Sequence, residues 1–215
     1  MILILSSEPG MGKTYQAMGF EEPILYLDME NRANNTVQRY YADKLIDLKP
    51  CMQYSKEFKE DHVATLNSFE KELKLAEYST IVIDGISEIR EYCHTKWAQI
   101  NKRKRAATPG DWELINDMVR ELLFPLINEC RNKGVHLVMT AQFKDDYALD
   151  SEGKSTKIGR IPALKEWITY MVDVLIILEY KKPQYRAVCT KSLAGCWEEN
   201  ITAKSLYDVL LEKGV

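Results

Sequence analysis

The chain has 215 residues, of which 46% are hydrophobic and 28% are charged, a composition typical of a soluble globular protein. This length predicts a single domain spanning residues 1–215, with a core that needs no disulfide bonds. The 29 basic and 32 acidic residues give a net charge of −3, which excludes a global polycation. Any contact with nucleic acid must therefore come from local basic patches.

The cysteines and histidines predict neither a disulfide framework nor a zinc site. Five cysteines are scattered along the chain without a CxxC pair, which indicates free thiols in a reducing compartment. The three histidines do not cluster with cysteines at zinc-ligand spacing. The sequence shows no secretory leader, and no apolar run approaches the roughly 20 residues of a transmembrane helix. We therefore expect a cytoplasmic protein that makes no membrane contact.

Short apolar runs alternate with helical patterns along the chain. Strands are predicted at residues 2–5, 24–28, 80–84, 135–140, 172–178 and 185–190. Helices are predicted at about 12–20, 33–44, 64–76, 86–100 and 109–131. The first four strands are continuously aliphatic, as parallel strands buried on both faces are. The pattern predicts an α/β fold with helices on both faces of a mainly parallel sheet.

Two segments in the second half of the chain have distinct local signals. Thr108, Pro109 and Asp111 form a helix start, with a capping hydroxyl, a proline in the first turn and an acid three residues after the cap. Residues 144–162 are polar, contain glycine and show no period, which predicts a long loop. Such a loop inside a compact domain is usually functional or disordered.

A phosphate-binding motif follows the first predicted strand. Residues 7–14, SEPGMGKT, lie between an apolar run and a helical pattern, which is the context of a Walker A loop, although Ser7 stands where the motif has glycine. Backbone N–H groups of the loop would bind phosphates, Lys13 would bridge the β- and γ-phosphates, and the Thr14 hydroxyl would bind Mg²⁺. The predicted nucleotide-binding residues are Pro9, Gly10, Met11, Gly12, Lys13, Thr14 and Tyr15. The alternative is a chance GKT sequence after a strand.

A matching Walker B strand ends at Asp84, within the segment STIVIDG. A carboxylate at this strand end would hold Mg²⁺ through water, and Thr14 and Asp84 are thus the predicted metal ligands. The alternative is that Asp84 only caps the next helix. The two motifs together predict a Mg²⁺-dependent ATPase with ATP and Mg²⁺ as its cofactors.

Residues 24–31, ILYLDMEN, form the next predicted strand and end in acids. This segment resembles the RecA-like ATPases, whose catalytic base follows the corresponding strand in a pattern such as FIDAEH. The resemblance implies that Glu30 polarises the attacking water and that Asp28 closes the strand. AAA+ ATPases instead keep the glutamate beside the Walker B aspartate, where this chain has Gly85, with Glu88 one helical turn away. The alternative for Glu30 is a solvated carboxylate.

The resemblance to RecA continues in the second half of the chain. The segment LVMTAQF resembles the RecA strand that ends in a glutamine touching the γ-phosphate, which implies that Gln142 reports hydrolysis to the segment after it. The strands at 172–178 and 185–190 resemble the antiparallel strands that close this core. Lys191, or alternatively Arg186, would reach the nucleotide of a neighbouring subunit as a trans-acting finger. The alternatives are a polar strand end for Gln142 and a solvated lysine for Lys191.

Over nearly its whole length the chain resembles the short RecA-like ATPases of phages and archaeal viruses, which are single-strand-annealing or recombination proteins. The shared features are VIDG at Walker B, the TAQ strand end, the PAL segment and the YMVDV segment. The resemblance implies a RecA-like P-loop core with antiparallel closing strands. If the protein is encoded by a virus, the resemblance also implies localisation in the host cytoplasm.

Two basic segments are candidate contacts for DNA, because a RecA-like core holds the strand with two loops. Basic side chains neutralise phosphates, and an aromatic ring such as that of Tyr147 can stack on a base. The predicted DNA-binding residues are Lys102, Arg103, Lys104, Arg105, Lys144, Lys154, Lys157 and Arg160. The alternatives are a solvated helix end, which the helix dipole favours, or contacts with a neighbouring subunit.

The sequence as a whole predicts an oligomeric ATPase, a ring or a filament, that binds nucleic acid and acts in recombination or annealing. Its predicted partners are single-stranded DNA, further copies of the chain and a single-strand-binding protein. One alternative is a nucleic-acid motor or packaging-type ATPase. Another is a regulatory switch that binds ATP without DNA.

Overall fold

The computed structural model describes residues 1–73, 77–149, 155–182, 184–202 and 204–215. The strands are β1 (Ile2–Ser6), β2 (Ile24–Asp28), β3 (Ile46–Pro50), β4 (Thr80–Asp84), β5 (His136–Ala141), β6 (Phe143–Leu149), β7 (Ser155–Pro162), β8 (Val174–Lys181), β9 (Gln184–Lys191) and β10 (Trp197–Asn200). The helices are α1 (Lys13–Met18), α2 (Asn34–Tyr40), α3 (His62–Glu72), α4 (Ile89–Ile100), α5 (Pro109–Lys133), α6 (Glu166–Met171) and α7 (Leu206–Glu212), and a 3-10 turn at Ile86–Glu88 precedes α4.

The main sheet has the strand order β10-β9-β8-β1-β5-β4-β2-β3. The strands from β8 to β3 run parallel, whereas β9 and β10 add to the other edge in antiparallel fashion. The predicted fold class, a mainly parallel sheet flanked by helices with antiparallel closing strands, is confirmed. Parallel neighbours need crossover connections, and the helices of the chain supply them.

Helices cover both faces of the sheet, which explains the continuous apolar strands. In β1, Ile2 and Ile4 pack into a core that includes buried residues of α3, α4 and α5. Leu3 and Leu5 point to the opposite face and pack into a second core with α1 and α7. Because successive side chains of a strand alternate between faces, a strand covered on both sides is apolar at most positions and does not alternate.

The long helix α5 begins as predicted. Thr108 is its N-cap: the side-chain oxygen of Thr108 accepts from the backbone N–H of Asp111 at 3.2 Å. The Asp111 carboxylate accepts in return from the backbone N–H of Thr108 at 3.0 Å, which completes a capping box. Two otherwise unpaired donors of the first turn are thus satisfied.

The prediction of a loop over residues 144–162 is wrong where the structure describes this segment. Strands β6 and β7 pair antiparallel as a separate two-stranded sheet, with a register shift between Asp146 and Tyr147. These strands lie outside the main sheet, and none of their described side chains is buried. No core face therefore imposes an apolar alternation on that part of the sequence, so the strands could not be recognised from it.

Four other elements were not predicted: β3, β10, α6 and α7. Strands β3 and β10 lie at the two edges of the main sheet, and their side chains are half-buried or exposed. Helices α6 and α7 have six and seven residues, which is too short for a clear helical period. Among the residues that the structure describes, no helix has the length and apolar character to cross a membrane.

We expect Thr108→Ala to lower the free energy of unfolding by about 1 kcal/mol, because it removes the side-chain acceptor at the start of α5. Urea denaturation followed by circular dichroism measures this change. Thr108→Ser is the matched control, since serine keeps the capping oxygen and should unfold close to the wild type. Equal unfolding midpoints for Thr108→Ala and the wild type would contradict the role of the cap.

Candidate functional site

The carboxyl ends of four neighbouring strands bring the predicted site residues together. In the register of the sheet, Asp84 of β4 lies between Asp28 of β2 and Thr140 of β5. Ser6 of β1 pairs with Ala141, the last residue of β5. The segments that follow β1, β2, β4 and β5 therefore begin at one edge of the sheet, where open α/β sheets bind their ligands.

A cleft of about 300 Å³ opens at this edge between the loop after β1 and the segment after β2. We call it the P-loop cleft. It is lined by Pro9, Gly10, Gly12, Lys13, Thr14, Tyr15, Glu30, Arg32, Thr36, Tyr40, Asp84 and Gln142. All predicted nucleotide-binding residues except Met11 are among these; Met11 lines a different cavity together with Glu8 and Phe143.

The loop that carries the Walker A motif has an open inner surface. Gly10 and Gly12 adopt φ values of +77° and +85°, and a Cβ at either position would meet no atom within 4 Å. Within the described residues, no side chain caps the N-terminus of α1, whose N-cap is Gly12. The loop therefore leaves room for a phosphate chain close to its backbone N–H groups, as ATP binding requires.

Lys13 is held by the loop itself. Its ammonium nitrogen donates to the carbonyl oxygens of Ser7 at 3.0 Å and Glu8 at 3.1 Å, and to the Ser7 hydroxyl oxygen at 3.0 Å. Burial lowers the pKa of Lys13, and the nearby carboxylates of Asp84 and Glu30 oppose this shift. The serine at the first motif position thus supplies a side-chain oxygen to the lysine in addition to its carbonyl oxygen, which glycine could not do.

Three hydroxyl groups surround the carboxylate of Asp84. Thr14 donates to its Oδ2 atom at 3.0 Å, and Tyr26 donates to the same atom at 2.6 Å. Thr140 donates to Oδ1. Tyr26 is fully buried, and burial raises its pKa well above the usual value, so its hydroxyl stays protonated as a donor. The paired oxygens of Thr14 and Asp84 are hard ligands of the kind Mg²⁺ prefers, and the pair fits the predicted metal site.

Glu30 and Gln142 meet across the cleft. The side-chain amide nitrogen of Gln142 donates to Oε1 of Glu30 at 3.1 Å. Nη1 of Arg32 lies 3.4 Å from Oε2 of Glu30. The backbone N–H of Gln142 donates to the Ser87 hydroxyl at 2.9 Å. The structure therefore joins the segment after β5 to the carboxylate that follows β2.

Asp28 shapes the turn that carries Glu30. Its carboxylate accepts from the backbone N–H groups of Glu30 at 3.1 Å and Ala33 at 2.8 Å. Only 2% of Asp28 is exposed, and burial raises the pKa of its carboxyl group. Asp28 thus organises the turn at the end of β2, while Glu30 reaches the cleft.

Gly85 leaves room for Glu30 beside the end of β4. Its φ is +102°, and a Cβ at this position would lie 3.2 Å from Cγ of Glu30 and 3.3 Å from Cβ of Met29. Position 85 is therefore restricted in two ways: by its positive φ and by the side chains of Met29 and Glu30, which follow β2. Only glycine satisfies both restrictions without a shift of Glu30.

Glu88, the alternative base, does not line the P-loop cleft. It is half-buried at the N-terminus of α4. Burial raises the pKa of its carboxyl group, and the like charges of Glu30, Glu60 and Glu91 raise it further. Of the two candidate carboxylates, Glu30 is the one that the structure places in the cleft.

The basic run after α4 is fully on the surface. Lys102, Lys104 and Arg105 are exposed, whereas Arg103 forms an ion pair with Asp111 at 3.1 Å. None of the four lines the P-loop cleft.

The basic residues of the β6–β7 hairpin are largely neutralised by neighbouring acids. Lys157 forms an ion pair with Asp145 at 2.7 Å, and Arg160 pairs with both Asp145 and Glu8 of the Walker A loop. Tyr147 is 57% exposed. Lys144 lines a second cavity beside the cleft, and Lys154 lies outside the described residues.

The candidate trans-acting residues make contacts within their own chain. The ammonium nitrogen of Lys191 donates to the carbonyl oxygens of Thr169 at 2.8 Å, Tyr170 at 3.0 Å and Val172 at 2.7 Å. Arg186 pairs with Glu198 on the adjacent strand. In this arrangement Lys191 holds the C-terminal end of α6, and the prediction of a finger stays untested.

Sequence reasoning missed several residues of the site. Tyr26 and Thr140 bind Asp84, and Arg32, Thr36 and Tyr40 line the cleft. The exposed ring of Tyr40 lies edge-on to that of Tyr15, 5.3 Å between centroids. A tyrosine within the otherwise aliphatic β2 was the available signal for Tyr26, since a buried hydroxyl needs a partner. The sequence carried no comparable signal for the residues of α2.

Comparison with known proteins identifies a family. Residues 1–206 match the model of a family described as an AAA domain. Among solved structures, a KaiC-like protein from the hyperthermophilic archaeon Pyrococcus horikoshii OT3 is similar with a TM-score of 0.46 and 15% identity, over 93% of this chain and 84% of that chain. The RadB recombinase is similar with a TM-score of 0.48 and 11% identity, over 95% and 84% of the two chains. None of the curated proteins matches the chain.

We expect Gly85→Ala to lower the rate of any reaction that depends on Glu30 by about tenfold or more, because the new methyl group displaces that side chain and small misplacements are costly. Steady-state ATP turnover measures the effect. Gly134→Ala is the matched control: Gly134 also has a positive φ, of +71°, but a Cβ there meets nothing within 4 Å. The control should lose stability and keep turnover. Equal turnover in both variants would argue against the close contact.

Proposed function

The chain belongs to this AAA domain family, and from this we propose that it is a Mg²⁺-dependent ATPase whose reaction takes place in the P-loop cleft. One observation carries the proposal. The Walker A loop, the Thr14–Asp84 pair and the Glu30–Gln142 pair converge on one cleft of about 300 Å³. These are the groups that phosphoryl transfer to water requires: a phosphate-binding loop, metal ligands and a base.

Each group has a separate task in the proposed reaction. The loop N–H groups and Lys13 bind the phosphates of ATP, so that the ammonium of Lys13 leaves the oxygens of Ser7 and Glu8. Thr14 and Asp84 would hold Mg²⁺, which would neutralise the charge on the phosphate oxygens. Glu30 accepts the proton of the attacking water, and Gln142 orients the Glu30 carboxylate.

Substitution of the base separates this proposal from its alternative. We expect Glu30→Gln to bind ATP and to lose turnover by about 100-fold or more, because the amide cannot accept the proton. Glu88→Gln should keep turnover, since Glu88 lies outside the cleft. ATP turnover together with equilibrium binding of a fluorescent ATP analogue measures both properties.

Lys13→Ala completes that test, because it should abolish turnover and leave the circular dichroism spectrum unchanged. Full turnover in Lys13→Ala would refute the phosphate site. Loss of turnover in Glu88→Gln, with turnover kept in Glu30→Gln, would move the base to α4.

We further propose that the partner of this ATPase is single-stranded DNA, and that the protein acts as an oligomer in recombination or annealing. Two features support this assignment. The run 102–105 presents exposed positive charge, and the β6–β7 hairpin directly follows Gln142, which contacts the proposed base. If DNA binding moved the hairpin, the movement would thus reach Glu30 through the side chain of Gln142. A motor or packaging-type ATPase would use the same core and would, in addition, translocate along DNA.

We expect single-stranded DNA to stimulate ATP turnover, and the stimulation to fade between about 50 and 200 mM salt as counterions compete for the phosphates. Turnover with and without an oligonucleotide over a salt series measures this. Glu30→Gln is the control that separates DNA binding from hydrolysis, because this variant should still bind DNA but show no ATP turnover. Flat turnover together with absent DNA binding would refute the DNA assignment and leave the ATPase assignment intact.

A further inference from the structure

A second cavity, of about 250 Å³, lies beside the P-loop cleft and shares no lining residue with it. Its walls come from the start of α4, the middle of α5 and the segment that joins β7 to α6, with Lys144 of β6 at the side. Arg90, Asn116, Lys144 and Lys165 provide its main polar groups. We call this cavity the basic pocket.

The basic pocket gathers three cations from separate elements. Arg90, Lys144 and Lys165 form no ion pair within the part of the chain that the structure describes. All three side chains line the same cavity of about 250 Å³, which places their charges close together. One carboxylate, Glu91, also lines the pocket, but it lies 3.3 Å from Nδ1 of His94. The pocket therefore carries excess positive charge, which an anion would compensate.

Arg90 is held in place before any ligand arrives. Its guanidinium carbon lies 4.4 Å from the ring centre of Trp112, and its Nε atom donates to Oδ1 of Asn116 at 3.2 Å. These contacts leave the two terminal nitrogens for a ligand, and a guanidinium fork matches two oxygens of a phosphate. Lys144 makes a contact of 3.4 Å with the carbonyl oxygen of Leu164, which an anion can replace.

We propose that the basic pocket binds one phosphate group of a single-stranded DNA strand, with Arg90, Lys144 and Lys165 as its ligands. This inference rests on the proposed function, because it locates the DNA contact that the function requires. The guanidinium fork and the two ammonium groups on this cavity suit the oxygens of one phosphate group. Arg90 and Lys165 lie outside both segments in which the sequence predicted DNA contacts.

The basic pocket is two hydrogen bonds away from the proposed base. Ser87 lines the pocket, and its hydroxyl accepts from the backbone N–H of Gln142 at 2.9 Å. The side chain of Gln142 donates to Glu30 at 3.1 Å. Lys144, a ligand in the pocket, follows Gln142 by two residues. A phosphate bound to Lys144 would thus contact the segment 142–144, in which the side chain of Gln142 donates to Glu30.

The test compares two charge-removing variants in the full chain. Lys165→Gln removes an exposed cation of the pocket, and Lys71→Gln removes an exposed cation of α3 that lies 3.9 Å from Glu72 and outside the pocket. Fluorescence anisotropy of a labelled single-stranded oligonucleotide gives the dissociation constant over a salt series. We expect Lys165→Gln to weaken binding about three- to tenfold and to reduce the salt slope by about one, while Lys71→Gln matches the wild type.

A second variant and a second probe decide between the sources of phosphate. Arg90→Lys keeps the charge and loses the fork, and should weaken DNA binding with little change in the salt slope. Inorganic phosphate is titrated by calorimetry while a non-hydrolysable ATP analogue fills the P-loop cleft. If DNA binds the wild type and Lys165→Gln equally well, the pocket assignment is overturned and the proposed function stands. If Lys165 is needed for inorganic phosphate while the wild type binds no DNA, the assignment of DNA is overturned for both the pocket and the function.

Discussion

The buried carboxylate of Asp84 is the group on which the arrangement of the site depends. It is 5% exposed, and a carboxylate removed from water raises the free energy of the folded protein by several kcal/mol unless hydrogen bonds replace its hydration. Thr14, Tyr26 and Thr140 provide those hydrogen bonds from α1, β2 and β5. The three hydroxyls thereby connect the Walker A helix, the strand that leads to Glu30 and the strand that leads to Gln142.

The parts of the site that directly follow a strand in the sequence could be predicted. The Walker A loop, Asp84 and Glu30 each stand at the end of a continuously apolar strand, so their position at the sheet edge follows from local pattern alone. The bonds of Tyr26 and Thr140 to Asp84 could not be predicted in this way. They depend on the pairing of β2, β4 and β5 in one register, which is a property of distant segments.

The strands that were not predicted have a common physical feature, which is low burial. Strands that a core covers on both faces are apolar throughout, and these were found at closely similar bounds. Strands β3 and β10 at the edges and the β6–β7 hairpin outside the main sheet bury little, so that their residues show neither an apolar run nor a clear alternation. The hairpin matters most for function, because it contains Lys144 and places Arg160 against Glu8 of the Walker A loop.

In the proposed site, the serine at the first position of the Walker A loop makes the affinity for nucleotide depend on hydrogen bonds inside the loop. The ammonium of Lys13 already has three oxygen partners, two of which belong to Ser7. If Lys13 binds the phosphates as proposed, it exchanges these oxygens for phosphate oxygens, and its contribution to the binding free energy is the difference between two bonded states. The proposed site thus couples nucleotide affinity to the resting conformation of the loop: a change that weakens the internal hydrogen bonds of Lys13 would tighten nucleotide binding without adding any contact to the nucleotide.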